Sequence, residues 1–211
     1  MSCKIEGTIL PKTARYLKTL VYNDTYNEIT GKLVKRQTKL RGRGNITILE
    51  VDRSHQVKGE GDEVDSIDTK FNFHTHPRKA YKIYNCELGW PSDDDYTTIL
   101  RSYVNGKMLF HIISTLEGLY IVSVCYRPKK SEIPVIEKWI SSRLDIDKEG
   151  VRIPKGIMVK GFGRIYNGET YARYANGRRW RCKKIFNVEF IDWKLVTESN
   201  IVTTFTFTVC K

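Results

Sequence analysis

Apolar positions along the chain change period several times, and each change marks an element. Between Pro11 and Tyr26, Ala14, Leu17, Leu20 and Val21 recur at helical spacing. "PKTARYLKTLVYNDTY" is therefore expected as an amphipathic helix, with proline in its first turn and Asn23-Asp24 at its end. "EITGKLVKR" and "NITILEVDR" follow as two strands joined through the basic, glycine-bearing "QTKLRGRG". The acidic run "GEGDEVDSID" reads as a loop, and "TKFNFHTHP" as a third strand stopped by Pro77. "RKAYKIYNCELGW" has no clear period. "SDDDYTTILRSYVNG" carries the marks of a capped helix: Ser92 as cap, acids in the first turn, and Gly106 beyond the end. Tyr96, Ile99, Leu100, Tyr103 and Val104 line one face of it.

Further on, "KMLFHIISTLEGLYIVSVCY" predicts a hairpin turning at Glu117-Gly118. "IPVIEKWISSRL" predicts a helix with Pro134 near its start and Ile136, Trp139, Ile140 and Leu144 on one face. From Gly150 the pattern turns to β. "IFNVEFIDW" and "VTTFTFTVC" alternate with period two around the turn "TESN". "YARYANGRRWRCKKIF" reads as a basic hairpin turning at Asn176-Gly177, and Gly161 and Gly163 as turn glycines. No internal repeat is present. The order of elements is that of an α+β protein with a boundary near residue 127, dividing residues 1–127 from a helix-plus-β extension over 128–211.

Composition narrows this picture. A chain of 211 residues buries enough surface to fold without disulfides or a structural metal. No stretch approaches the roughly 18 apolar residues of a membrane span, and the first residues lack the apolar core of a secretory signal. An intracellular protein, or part of an assembly built inside a cell, is expected. Five scattered cysteines with no CxxC pair suit reduced thiols and argue against a cysteine metal site. The net charge of +12 is uneven: residues 1–126 carry 18 Lys/Arg against 15 Asp/Glu, and residues 127–211 carry 18 against 9. The basic excess of the extension suits an acidic protein surface or nucleic acid. Tyr171, Tyr174 and Trp180 interleave with Arg173, Arg178, Arg179, Arg181, Lys183 and Lys184, which would let rings stack on bases while cations meet phosphates. A basic hairpin that packs its aromatics inward gives the same pattern.

The chemistry gathers at "KFNFHTHPRKAYKIYNCELGWPSDDDY". Two of the chain's four histidines stand one residue apart, at positions 74 and 76. On a strand, Phe71, Phe73 and Thr75 would face one way and Asn72, His74 and His76 the other. Imidazoles about 7 Å apart at their Cα atoms can converge on one ion at Zn–N distances of about 2.0–2.1 Å. Catalytic zinc takes three protein ligands and leaves one position for water, and an aspartate at a helix start suits the third. Each piece has a plainer use. A His-x-His pair can serve packing alone, and Ser92-x-x-Asp95 also reads as a capping box. The two together within one strand-to-helix crossover are seldom produced by packing needs. Asp93 and Asp94 read as capping or solvated acids. His111, among apolar neighbours, reads as a satisfied core histidine, and His55 as part of a surface loop.

These residues resemble the JAMM metalloproteases, the zinc-dependent branch of the MPN domains. Their signature is an upstream glutamate, then His-x-His, then Ser-x-x-Asp. Here it becomes His74-Thr75-His76-Pro77 and Ser92-Asp93-Asp94-Asp95. The glutamate context, Glu-x-x-Gly-x-Leu, is supplied by Glu28-Ile29-Thr30-Gly31-Lys32-Leu33, with Glu28 46 residues before His74. Glu50, Glu60 and Glu63 lack that context. The resemblance covers residues 8–127, and departs from the family in the longer crossover from His76 to Ser92. It implies an MPN/cytidine-deaminase-like mixed sheet flanked by helices. It also implies zinc (Zn2+) held by His74, His76 and Asp95 with a water in the fourth position, Glu28 as general base, and Ser92 as hydrogen-bond donor to the oxyanion. The activity implied is hydrolysis of a peptide or isopeptide bond in a protein substrate.

"FHTHP" and "GWPSDDD" are similar to JAMM-like proteins of large DNA viruses. That adds a rival expectation: a virion component, such as a minor capsid protein, docked to an assembly partner through its basic extension. A nucleic-acid-binding module in residues 150–211 is a third. A metal-dependent phosphoesterase ranks below these, because Ser-x-x-Asp has no evident role in that chemistry.

Overall fold

The structure, a computed structural model, describes residues 2–40, 44–59, 69–83, 85–198 and 203–210. Its first half runs β1 (Ser2–Ile9), α1 (Pro11–Asn23), β2 (Ile29–Leu40), β3 (Gly44–Lys58), β4 (Phe71–Thr75), α2 (Arg78–Ile83), α3 (Asp93–Val104), β5 (Phe110–Ser114) and β6 (Gly118–Val124). The second half runs α4 (Ile133–Arg143), α5 (Ile146–Glu149), β7 (Gly150–Ile153), β8 (Gly156–Val159), β9 (Gly163–Ile165), α6 (Gly168–Gly177), β10 (Phe186–Asp192) and β11 (Thr203–Cys210).

Eight strands form one mixed sheet in the order β10-β6-β5-β4-β2-β3-β1-β11, with β4–β5 and β1–β3 parallel. The sheet curls until β11 approaches β6 and β10, giving a nearly closed, barrel-like form. A small antiparallel sheet, β7-β8-β9, stands beside it. The fold is thus mixed α+β. Residues 128–211 supply β10 and β11, so strands from both sides of residue 127 share the large sheet.

Period-two alternation sorts the side chains between two cores. Phe73, Phe110, Ile112, Leu119 and Ile121 pack with Ala14 and Leu17 of α1 and with Phe205 of β11. Ile113, Tyr120, Val122 and Val188 pack on the opposite face, against α3, α4 and α6. Strands β5 and β6 are buried along their whole length, which explains their nearly unbroken apolar sequences.

The helices α1, α3 and α4, the strand β4 and the hairpin β5–β6 form where the periodicity predicts them. Ser92 caps α3, and Gly106 follows it with φ +69°. Several elements differ from expectation. Strand β1 carries no local signal, and pairs along its length with β11 at the far end of the chain. The aperiodic crossover contains the short helix α2. The segment expected as a basic hairpin is the helix α6, capped by Asn167, whose side chain accepts from Thr170 N at 2.9 Å. Its Tyr171, Ala172, Tyr174 and Ala175 are buried at helical spacing. Asn176-Gly177 ends this helix, and the Asn176 side chain bonds both polar backbone groups of Val188. The turn expected at "TESN" is partly a π-helical stretch, Lys194–Glu198, and β10 and β11 lie at opposite ends of the sheet order. His55 is exposed as expected but sits in β3, not in a loop.

Tyr171, Tyr174 and Trp180 are 0%, 1% and 5% exposed. Their rings belong to the core, so none is free to stack on a base. Cys86, Cys125 and Cys182 are free thiols. No helix among the described residues is long and apolar enough to cross a membrane.

Candidate metal centre

Strand register brings the upstream glutamate to the histidines. In the antiparallel pair of β2 and β4, Thr30 stands opposite His74, so position 28 falls opposite position 76. Ile29 N donates to Thr75 Oγ1 at 2.9 Å and Thr30 Oγ1 to the Phe73 carbonyl at 3.0 Å, locking that end of the pair. Gly31 faces Phe73, and a Cβ at that position would overlap the Phe73 ring. The glycine of the Glu-x-x-Gly motif is therefore what lets β2 approach β4 closely enough to deliver Glu28. Glu28 and His74 are both buried, and ligand atoms of Glu28, His74 and His76 all lie within 4.8 Å of one another. This cluster could hold a metal ion. Glu50 instead pairs with Lys12 and Arg36, and Glu60 and Glu63 lie outside the described residues.

The start of α3 closes the cluster from above the strand. Asp95 Oδ1 stands 3.2 Å from His74 Nε2, and Oδ2 stands 3.5 Å from His76 Nε2. Asp95 also accepts from Ser92 N at 2.7 Å and from Ser92 Oγ at 2.9 Å, while Asp95 N donates to Ser92 Oγ at 3.0 Å. The Ser-x-x-Asp pair thus caps the helix, and its carboxylate at the same time faces the imidazoles. Asp93 turns away to Ser141, and Asp94 is exposed.

Charge is balanced inside this group. Burial pushes His76 toward neutrality, but the Asp95 hydrogen bond and the charges of Asp95 and Glu28 outweigh it and raise its pKa to about 9. Burial would raise the Asp95 carboxyl, yet the charges and hydrogen bonds of His74 and His76 hold it well below the usual range. His111 is buried as expected of a core histidine. Burial, reinforced by the charge of His74, depresses its pKa well below the usual value.

The long crossover between β4 and α3 is anchored by two elements that follow it in the chain, the β5–β6 turn and α6. Glu117, at the β5–β6 turn, accepts from Tyr81 Oη at 2.7 Å, from Gly89 N at 2.8 Å and from Tyr120 Oη at 3.0 Å. The Gly89 carbonyl in turn faces His76 Nδ1 at 3.0 Å. Trp90 stacks on Tyr171 of α6 at a centroid distance of 5.9 Å, and Tyr171 Oη donates to the Pro91 carbonyl at 3.0 Å. The crossover forms one wall of a cavity of about 580 Å³, with the cluster on another side and Leu144–Asp147 on a third. Sequence reasoning finds Glu28, His74, His76, Ser92 and Asp95, and all five come together. It misses Glu117 and Tyr171, whose contacts with the crossover span 28 to 80 residues and leave no local pattern.

Gly89→Ala tests this support. A Cβ at Gly89 would collide with the Tyr81 hydroxyl, which is already bonded to Glu117. The expected result is a folded protein destabilised by about 1–3 kcal/mol in urea unfolding, the usual cost of overpacking, with weaker metal uptake because the peptide that orients His76 must shift. Unchanged stability and uptake would show that the crossover does not hold His76 in place.

The comparisons with known proteins are sparse. No protein family's pattern matches the chain, and no solved structure matches it. A stretch of 66 residues is 33% identical to the uncharacterized protein 3R of frog virus 3 (isolate Goorha). The match covers 31% of this chain and 14% of that relative, so the chain spans only a small part of the viral protein's length. The likeness is to a large-DNA-virus protein and points to no family.

Proposed function

We propose that the chain is a zinc-dependent hydrolase of peptide or isopeptide bonds, of JAMM type, on an MPN/cytidine-deaminase-like sheet. The observation that carries this reading is the convergence of Glu28 just before β2, His74 at the end of β4, His76 just beyond it and Asp95 from the start of α3, on one cavity. Two imidazole nitrogens and a carboxylate are a donor set that suits Zn²⁺. His74, His76 and Asp95 would hold the ion, which supplies Lewis acidity to polarise a scissile carbonyl and acidify a water. Glu28 takes the proton of the attacking water and returns it to the leaving nitrogen as the C–N bond breaks. The Ser92 hydroxyl, which donates to Asp95 in the free site, turns its one hydrogen to the carbonyl oxygen as negative charge develops there. Tyr171 and Glu117 keep the crossover wall in register with these groups.

Cleavage of lysine-branched and linear peptide substrates by the zinc-loaded protein tests the reading. Chelation should abolish hydrolysis and added zinc should restore it. Hydrolysis that survives chelation, or that persists in His74→Ala, would overturn it. A second reading, a structural component of a virus particle, is favoured by the likeness to the frog virus 3 protein and by the basic excess of residues 127–211. Co-sedimentation with particles and a lack of turnover would favour it over the enzyme.

A further inference from the structure

We propose that His111 is a positioning residue for the metal centre: with Asn72 it holds the hydrogen of His74 on Nδ1 and so keeps Nε2 as the nitrogen aimed into the site. This role rests on His74 being a metal ligand, as proposed above. Alternation along β4 puts Asn72 and His74 on one face. The parallel neighbour β5 places His111 opposite Asn72, one pair before His74–Ile113. The His111 ring therefore bridges the two: its Nδ1 lies 2.6 Å from Asn72 Oδ1, and its Nε2 is hydrogen-bonded to His74 Nδ1. Asn72, His111 and His74 are 0%, 4% and 8% exposed, so water does not compete for these bonds.

Donor and acceptor roles follow along the chain of bonds. The Asn72 carbonyl oxygen only accepts, so His111 Nδ1 carries a hydrogen. A second hydrogen on His111 Nε2 would bury a cation whose partner at Nδ1 is a neutral amide, at a cost of several kcal/mol. His111 Nε2 is therefore an acceptor, and His74 Nδ1 carries the hydrogen that it receives. The Nε2 atom of His74 is then the nitrogen left facing the site, 3.2 Å from Asp95 Oδ1, and the one available to an ion. The Nδ1 atom of His76 likewise donates outward, to the Gly89 carbonyl, so its Nε2 also faces the site. The Asn72 amide orientation decides the outcome. Turned about, it would place the hydrogen on His74 Nε2 and block ligation.

Two readouts test this on the full chain. Nitrogen chemical shifts of the metal-free protein should show a hydrogen on His74 Nδ1 and none on His111 Nε2, and Asn72→Leu should leave that hydrogen shared between the two rings. Competition with a zinc chelator should show His111→Phe binding zinc 10–100-fold more weakly, the usual effect of losing such a partner. His111→Gln, whose amide carbonyl can accept from His74 Nδ1, should recover most of the affinity. A His74 Nδ1 without a hydrogen in the unaltered protein would overturn the proposal, as would undiminished affinity in a folded His111→Phe. Failure of the unaltered protein to take up zinc would sink the metal reading instead, and the nitrogen shifts would still decide the role of His111.

Discussion

Glu28→Gln is expected to keep the fold and the zinc while losing roughly 10²–10⁴-fold in hydrolysis, the range for a positioned acid–base group. The substitution preserves shape at a buried position whose backbone is locked by the β2–β4 register. Only the ability to take a proton is removed. The geometry also admits a competing role, because ligand atoms of Glu28, His74 and His76 are mutually within 4.8 Å. The two roles separate cleanly. A general base leaves zinc affinity within a few-fold when lost, whereas a ligand takes metal and activity away together. Zinc competition alongside single-turnover cleavage reads both. Loss of zinc in Glu28→Gln would assign the glutamate to the metal and leave the proton transfer without its acceptor.

The metal-free protein should lose stability as pH rises from 6.5 toward 9. His76 has a folded pKa of about 9 against an ordinary 6.5, so the folded state binds the extra proton throughout that window. The stabilisation is complete below pH 6.5 and is lost as pH passes through the folded value. At 1.36 kcal/mol per pKa unit it amounts to at most about 3 kcal/mol. The groups facing His76 are His74 on β4, Glu28 before β2 and Asp95 on α3, with His111 of β5 behind His74. Asp95 acts at the acid end: its depressed carboxyl contributes stability above about pH 3.8 that is lost as pH falls through the folded value. Urea midpoints taken with chelator between pH 6 and 9.5 should therefore fall in the unaltered protein and stay flat in His76→Asn. Zinc should flatten the profile too, because ligation displaces the same proton. A fall that His76→Asn leaves intact would assign the titration to another group.

The five candidate positions are legible because each leaves a local mark. Alternation in "FNFHTHP" puts both imidazoles on one face. The cap sequence of α3 fixes where Asp95 points, and Gly31 betrays a close strand approach beside Glu28. The supports of the site leave no such mark. Strand β1 is defined by a partner at the far end of the chain, and Glu117 holds Gly89 across a turn 28 residues away. The helix α6 was obscured because Asn176-Gly177 suits a helix end as well as a hairpin. Its buried Tyr171 and Tyr174 also look, in a basic sequence, like rings meant for bases. His111 was legible as a buried histidine. Its bond to His74 depends on the register of β4 against β5, which periodicity does not encode.

Zinc content per chain tests the central claim most directly, measured by metal analysis of protein loaded and then dialysed at neutral pH. The account predicts one zinc in the unaltered protein and in Glu28→Gln, and none in His74→Ala or His76→Ala. An unaltered protein that takes up no zinc, or a His74→Ala variant that holds it as tightly, would contradict the account.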